Sequence, residues 1–389
     1  MLERAKRLIA PSGRSNVPPF MVMDVMAAAA RIEAAGGHVV HMEVGQPAAP
    51  APASAIAAAH AALAGGRIGY TEALGIPALR ARIARHYAER YAVEVDPARI
   101  VVTTGSSGAF LLAFLAAFDE GDRVAMANPA YPAYRNILAA LGLVPVELSA
   151  GPAERYQVSV DLVRRHAGDI DGVIVASPAN PTGTMLAPDE LAGLARYCRD
   201  MGLRLVSDEI YHGLTYGELA AATAVATDDN AFVINSFSKY FSMTGWRLGW
   251  MIVPSALMRT VECLAQNFFI SPPAVSQHAA LAAFDCHEEL QRNRARYARN
   301  RELLLAELPK AGFDRLAPTD GAFYLYADIA HMTNDSPEFC RRMLAELGIA
   351  CTPGIDFDRA RGHATLRFSY AGATETMAEA ARRLQGWRR

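Results

Sequence analysis

Lysine is scarce in this chain: among 389 residues the only ones are Lys6, Lys239 and Lys310. Lys239 lies in the run Ser-Phe-Ser-Lys-Tyr-Phe-Ser-Met-Thr-Gly-Trp-Arg, residues 236–247, between apolar strand-like stretches at 231–234 and 250–253. An amine held between buried segments is pushed toward its neutral form by desolvation. A neutral lysine amine can form a Schiff base with a carbonyl compound.

Other polar residues with chemical potential recur just after apolar runs. A run at 100–103 is followed by Thr104-Gly105-Ser106-Ser107-Gly108 and then by a helical pattern from 109 to 118. Free backbone N–H groups at a helix start, with two hydroxyls, suit a phosphate, although a Gly-Ser turn also serves as a plain cap. The run 172–176 leads into Ser177-Pro178-Ala179-Asn180-Pro181-Thr182-Gly183, where two prolines stiffen the turn around Asn180. The Asn180 amide either faces a ligand or closes an Asx turn. The run 204–207 ends at Asp208-Glu209-Ile210-Tyr211, placing a carboxylate at a sheet end and a phenol one turn later. A buried acid needs a cationic partner, and a protonated pyridine nitrogen would serve. Asp208 precedes Lys239 by about one βαβ repeat, so the two can occupy neighbouring strand ends.

The elements that must position these residues follow from hydrophobic patterning. Strand-like runs recur at 100–103, 123–127, 144–148, 172–176, 204–207, 232–236 and 248–253, mostly separated by helical stretches of Ala, Leu and Arg. That alternation predicts an α/β domain with a mostly parallel central sheet covered by helices on both faces. In such sheets ligands bind at the carboxyl ends of the strands, where the polar residues above fall. The end of the chain reads as a smaller α+β domain: a helix at 288–307, strands at 323–328, 349–352 and 365–370, and helices at 337–347 and 374–385. The expected division is an N-terminal arm with part of the small domain at 1–47, a large domain at 48–287 and a C-terminal small domain at 288–389. A helix preceded by an extended arm is expected within 14–36.

Composition narrows the function classes. The chain is 52% hydrophobic and 20% charged with net charge −2, and its arginines are scattered, which gives no basis for nucleic-acid binding. No apolar run is long enough to span a bilayer, and the stretch 8–10 before Pro11 is too short for a signal sequence. Five cysteines, Cys198, Cys263, Cys286, Cys340 and Cys351, include no C-x-x-C pair, arguing against a disulfide framework and a zinc site. His38 and His41 would point to opposite faces of a strand and offer no metal site. No metal is expected, and the reducing cytoplasm is the expected location.

Several separated motifs stand in one order: Gly45-Gln46-Pro47, Tyr70 with Gly75, Gly105-Ser106-Ser107, Asn128-Pro129-Ala130-Tyr131 and Asn180-Pro181-Thr182-Gly183 in the first half. Asp208-Glu209-Ile210-Tyr211, Ser236 with Ser238-Lys239, Gly245-Trp246-Arg247 and Arg367 follow in the second. With these, the chain resembles the class I and II aminotransferases, fold type I enzymes using pyridoxal 5′-phosphate, over essentially its whole length. The resemblance implies that Lys239 holds the cofactor as a Schiff base and then carries the proton between substrate and cofactor. Asp208 would pair with the pyridine nitrogen, and Tyr211 and Asn180 would hydrogen-bond the cofactor O3′. Tyr131 would stack on its ring, while Ser106, Ser107, Ser236, Ser238 and Arg247 would surround its phosphate. Tyr70 would reach the phosphate from the other subunit, which implies a homodimer with shared sites. Arg367 would grip the substrate carboxylate, with Gly45 and Asn180 also at the substrate. Because Arg367 and Gly45 belong to the small domain and arm, substrate would draw the domains together and exclude water.

Amino-acid and 2-oxo-acid substrates follow, exchanged in a ping-pong cycle. Some aspartate-specific relatives hold the distal carboxylate with a lysine in the Gly-Ser region, where this chain has Ser107. An apolar or small amino acid, with 2-oxoglutarate or pyruvate as acceptor, is the expected pair. Phe323 and Tyr324 face either the substrate or the core. The segment Gly354-Ile355-Asp356-Phe357-Asp358 carries Asp358 where a common family form has glycine. A β-elimination lyase, an aminocyclopropane-carboxylate synthase-like enzyme or a decarboxylase would use nearly the same residues. A nicotinamide dehydrogenase is disfavoured by the lack of G-x-G-x-x-G, and a hydrolase by the lack of G-x-S-x-G.

Overall fold

The computed structural model describes residues 9–387; the first eight residues of the expected arm, Lys6 included, and the last two of the expected small domain lie outside the described residues. The first strand is β1 (Val40–His41), followed by β2 (Ile100–Thr103), β3 (Arg123–Asn128), β4 (Val144–Ser149), β5 (Gly172–Ala176), β6 (Arg204–Asp208), β7 (Phe232–Ser236) and β8 (Gly249–Ile252). The seven runs read as strands all pair into one sheet of order β2-β8-β7-β6-β5-β3-β4. Only β8 runs antiparallel to its neighbours; β7, β6, β5, β3 and β4 are parallel.

Alternation along these strands feeds two apolar layers. Val173, Val175, Leu205, Val233, Trp250 and Ile252 enter one core, with helices Pro77–Tyr91, Pro188–Asp200 and Ala274–Ala283. Ile174, Val206, Phe232, Ile234 and Met251 enter the other, with helices Gly105–Ala117, Pro132–Ala140 and Met258–Phe268. A sheet buried on both faces needs near-continuous apolar strands. Burying each such valine, isoleucine or phenylalanine contributes about 1.5–3 kcal/mol.

A second, antiparallel sheet is built from β9 (Arg315–Leu316), β10 (Tyr324–Asp328), β12 (Thr352–Pro353) and β13 (Thr365–Ser369), in the order β12-β13-β10-β9. The expected strand at 349–352 is split. Its first part, β11 (Ile349–Ala350), pairs in parallel with β1, and after Cys351 the chain joins β13 instead. Helices Ser336–Leu347 and Thr374–Gln385, with the C-terminal part of the long helix His287–Glu307, close a third core that takes in Val40 and Met42 from the N-terminal segment.

Two further expectations change. The Gly105-Ser106-Ser107-Gly108 run is not a turn ahead of a helix at 109 but the helix's own first turn. Glycine and serine are weak helix formers, and burial of Ala109, Phe110, Leu112 and Phe114 overrides that local preference. The β6–β7 crossover carries only the short 3₁₀ turn Ala224–Ala226 instead of a full α-helix, yet β6 and β7 are adjacent. Among the described residues no helix is long and apolar enough to cross a membrane.

Candidate active site

The carboxyl ends of the parallel strands, the N-terminal segment and the second sheet enclose a cavity of about 190 Å³. Lys239, three residues beyond β7, enters it and donates from Nζ to the carbonyl oxygen of Gly45 at 2.6 Å. Burial, then the nearby Arg367 and Arg247 guanidinium groups, bring its pKa down to about 8. A substantial share of the amine is therefore neutral at mildly alkaline pH, the form able to attack a carbonyl carbon.

Asp208 ends β6 in the adjacent position and is buried. Its Oδ1 accepts the Ile210 N–H at 3.1 Å, and its Oδ2 accepts a short hydrogen bond from the Tyr134 hydroxyl. Burial raises its pKa to about 6, against the lowering effect of those bonds and of Lys239. Among the described residues it forms no ion pair, so the cavity presents a carboxylate lacking a bonded cation. Tyr134 was not foreseen; it sits three residues after Tyr131 at the start of helix Pro132–Ala140, and that i, i+3 spacing puts both rings on one face.

Tyr211 shares a 2.7 Å hydrogen bond with Tyr324 Oη. Tyr324 lines the cavity, whereas its neighbour Phe323 is fully buried behind it, edge-on to Tyr211 and Tyr297. Of the two aromatic residues with alternative readings, one faces the site and one the core. Arg367, from β13, donates through Nη1 to Asn180 Oδ1 at 2.8 Å and through Nη2 to Thr352 Oγ1 at 3.2 Å and to the Glu43 carbonyl oxygen. Its guanidinium carbon lies 4.3 Å from the Tyr324 ring centre and 4.7 Å from that of Phe357. Its Nε is buried with no protein acceptor. Strand pairing, hydrogen bonds and two rings thus hold this cation in a fixed orientation.

At the other end Ser106, Ser107, Ser238 and Arg247 line the wall. The helix starting at Gly105 has no side-chain cap, leaving N-terminal N–H groups for an anion. Arg247 adopts a left-handed backbone, φ 51°, and its Nη1 donates to the Thr244 carbonyl oxygen at 3.0 Å. Gly105, at φ +73°, lets the guanidinium approach: a Cβ there would lie 2.6 Å from Arg247 Nη2.

Gly45, Tyr131 and Asn180 also line the cavity. Two expected residues do not. Ser236 is buried beneath Ser238, its hydroxyl 2.9 Å from Ser238 Oγ and 3.1 Å from the Leu248 carbonyl oxygen. Tyr70 is 85% exposed, away from the cavity of its own chain. Phe20, Val22 and Met23, at the start of helix Met21–Ala34, add an apolar cover, with Phe20 edge-on to Tyr131. The expected helix within 14–36 is present, but its contribution to the site had no local sequence signal because it depends on contacts distant in sequence.

The fold and cavity are those of a fold type I enzyme, with a lysine amine, a buried acid and two arginines around one pocket. The model of the family "Aminotransferase class I and II" matches residues 37–384. The chain is 53% identical to the valine–pyruvate aminotransferase of Mycobacterium tuberculosis over 377 residues, covering 96% of this chain and 97% of that protein. Among solved structures, an aminotransferase from Mycobacterium tuberculosis superposes with TM-score 0.96 at 52% identity, covering 97% of this chain and 98% of that one. The aspartate aminotransferase from Thermus thermophilus with maleate gives TM-score 0.91 at 30% identity, covering 97% and 99%. The chain belongs to the class I and II aminotransferases and is an aminotransferase, transferring an amino group between an amino acid and a 2-oxo acid.

Proposed function

We propose that the cofactor is pyridoxal 5′-phosphate and that the substrates are L-amino acids with small or branched apolar side chains, L-valine foremost, with pyruvate as acceptor. The donor set fits the cofactor. A phosphate finds hydroxyls, helix N–H groups and Arg247 at one end; a pyridinium nitrogen finds the unpaired Asp208 carboxylate at the other; an aldehyde finds Lys239 between them. The glycine at 105, where a side chain would collide with Arg247, makes room for such a cradle.

When bound, the group supplies an electron sink for the carbanion at the substrate Cα. Lys239 would hold the group, and its Nζ is the base placed to take up and return a proton at the substrate Cα. Asp208, fixed by Tyr134, would pair with the cofactor's ring nitrogen and favour its protonated form, Tyr211 and Asn180 would donate to its ring oxygen, and Tyr131 would support the ring. Arg367 holds the substrate α-carboxylate and so orients Cα toward Nζ. Ser236 contributes by fixing Ser238.

The apolar cover of Phe20, Val22, Met23 and Ile210 is the observation that carries the substrate reading. Lys239, Arg247 and Arg367 are the cationic side chains among the described lining residues, and each has one of the duties above. None of these is left for a distal carboxylate within the one chain. Similarity to a valine–pyruvate aminotransferase points the same way. A donor panel of valine, alanine, isoleucine, aspartate and glutamate, each with pyruvate and 2-oxoglutarate, tests it: valine with pyruvate should give the highest kcat/KM. Preference for aspartate would refute the substrate assignment, and stoichiometric release of ammonia, pyruvate and sulfide from L-cysteine without an oxo acid would favour the lyase reading.

Tyr70, with its exposed ring, supports a homodimer in which each subunit completes its partner's phosphate site. The distinct cores of the two sheets support the division into 1–47, 48–287 and 288–389, with Tyr211, Leu214 and Tyr216 of the middle segment packing into the core of the second sheet. Five free cysteines fit a reducing compartment, the cytoplasm.

A further inference from the structure

The loop between β12 and β13 ties together three elements that form the cavity. Within it Asp358 is 1% exposed. Its Oδ1 accepts from Asn128 Nδ2 at 3.0 Å and from the backbone N–H groups of Ala360 and Arg361 at 2.9 Å each. Its Oδ2 accepts from Arg361 Nε at 2.9 Å. Arg361 Nη2 donates in turn to the carbonyl oxygens of Asn128 at 2.6 Å and Ala150 at 3.3 Å. Asn128 is the last residue of β3, and Tyr131 lies just beyond it on the cavity wall.

The same loop reaches the other two elements. The Ala130 N–H donates to the Phe357 carbonyl oxygen at 3.2 Å, and the Phe357 ring backs the Arg367 guanidinium. Asp356 Oδ1 accepts the Met21 N–H at 3.3 Å, where the helix carrying Val22 and Met23 begins. Arg367 is oriented by Thr352 within its own sheet, by the Glu43 carbonyl of the N-terminal segment and by Asn180 in the turn after β5, while the 354–362 loop is what reaches the end of β3.

We propose that Asp358 and Arg361 form a positioning latch that sets the distance between Arg367 and the strand end carrying Tyr131, and thereby the fit of the substrate carboxylate. The proposal rests on the reading of Arg367 as the carboxylate holder. Asp358 supplies four accepted hydrogen bonds from a buried site, and Arg361 brings the compensating charge. With Arg361 removed, three N–H donors still reach Asp358 Oδ1, but Oδ2 loses its donor and the two bonds to the Asn128 and Ala150 carbonyls are lost. A melting curve therefore accompanies each variant, and Asp358→Asn, which carries no buried charge, keeps the test independent of folding. Arg135, which donates to the Asp356 and Phe357 carbonyls, and the Ala130 N–H still hold the middle of the loop, so the displacement starts at 358–361 and reaches Arg367 as a small shift through Phe357. Small misplacements of a positioning group act chiefly on substrates that use it.

The test is steady-state and single-turnover kinetics of the holoenzyme with Arg361→Met, and with Asp358→Asn as the second variant. The donor is the one selected by the panel above; the control is the primary amine that equals it without the carboxylate, isobutylamine for L-valine. KM for both donor and oxo acid should rise about tenfold while kcat changes less than about threefold. The single-turnover rate with the amine should be unchanged, and the double variant no worse than the weaker single one. An unchanged KM, or an equal loss of rate with donor and amine, overturns the latch. Arg367→Lys separates the two readings: if it raises KM and Arg361→Met does not, the latch alone fails; if it leaves KM unchanged, the carboxylate reading fails and takes the latch with it.

Discussion

Lys239 and Asp208 are opposite ionisable groups in one cavity, each displaced by burial toward its neutral form. For Lys239 the folded-state pKa of about 8 lies below the ordinary 10.5. The charged amine therefore costs folding stability below about pH 8, and that cost declines as pH rises from 8 toward 10.5, where both folded and unfolded chains lose the charge. Lys239→Met in cofactor-free protein should accordingly raise the melting temperature at pH 7, and the gain over wild type should shrink by pH 10; a gain independent of pH would contradict the buried-charge account. The same variant should lose amino transfer by about a thousandfold or more, since no other lysine among the described residues lies in the cavity. Retention of activity, measured by pyruvate-dependent turnover, would remove Lys239 from the proton-carrying role. Asp208 has the reverse sign: its penalty is present above about pH 6 and is relieved as protonation sets in below, so a bound pyridinium should stabilise the protein more at pH 8 than at pH 5. Thermal shifts on adding pyridoxal 5′-phosphate at the two pH values check this, and an equal shift at both would argue against the Asp208 pairing.

At the scale of elements, the first turn of helix Gly105–Ala117 is where backbone geometry and charge meet. Gly105 has φ +73°, a region disfavoured for other residues, and faces Arg247 Nη2. Gly105→Ala adds backbone strain and a collision with the guanidinium, so cofactor affinity should fall about tenfold or more while the sheet, formed elsewhere, remains intact. Equilibrium dialysis against pyridoxal 5′-phosphate reads the affinity and circular dichroism the fold; unchanged affinity would place the phosphate elsewhere. This turn also shows what local patterning conveys. The β-branched runs of β2, β5 and β7 are readable as buried strands because side chains on both faces must be apolar. The helical character of Gly105 to Gly108 is not readable, because the burial that stabilises it is supplied by β7 and β8, distant in sequence. Lys239, Asp208 and Arg367 stand in motifs whose order exposes them. Tyr134 was legible only as a spacing, and Phe20 to Met23 not at all, since their place over the cavity depends on contacts with Tyr131 and the 354–362 loop.

For the whole molecule, the exposed position of Tyr70 bears on assembly. Its ring is 85% exposed, and Ile68, Phe268 and Ile270 are each more than half exposed. Exposed large apolar side chains of this kind fit a subunit interface. If each active site takes Tyr70 from the partner, defects at Lys239 and Tyr70 must complement one another. In a mixed dimer of a Lys239→Met subunit with a Tyr70→Ala subunit, one site collects both substitutions and the other collects neither. Random exchange of equal amounts makes half of the dimers mixed, so activity should recover to about a quarter of wild type, above the mean of the two parents. The measurement is specific activity after the separately purified variants are dissociated and reassociated, with size-exclusion chromatography showing the dimer. Activity that stays at the parental mean while mixed dimers are present would place Tyr70 outside the partner's site.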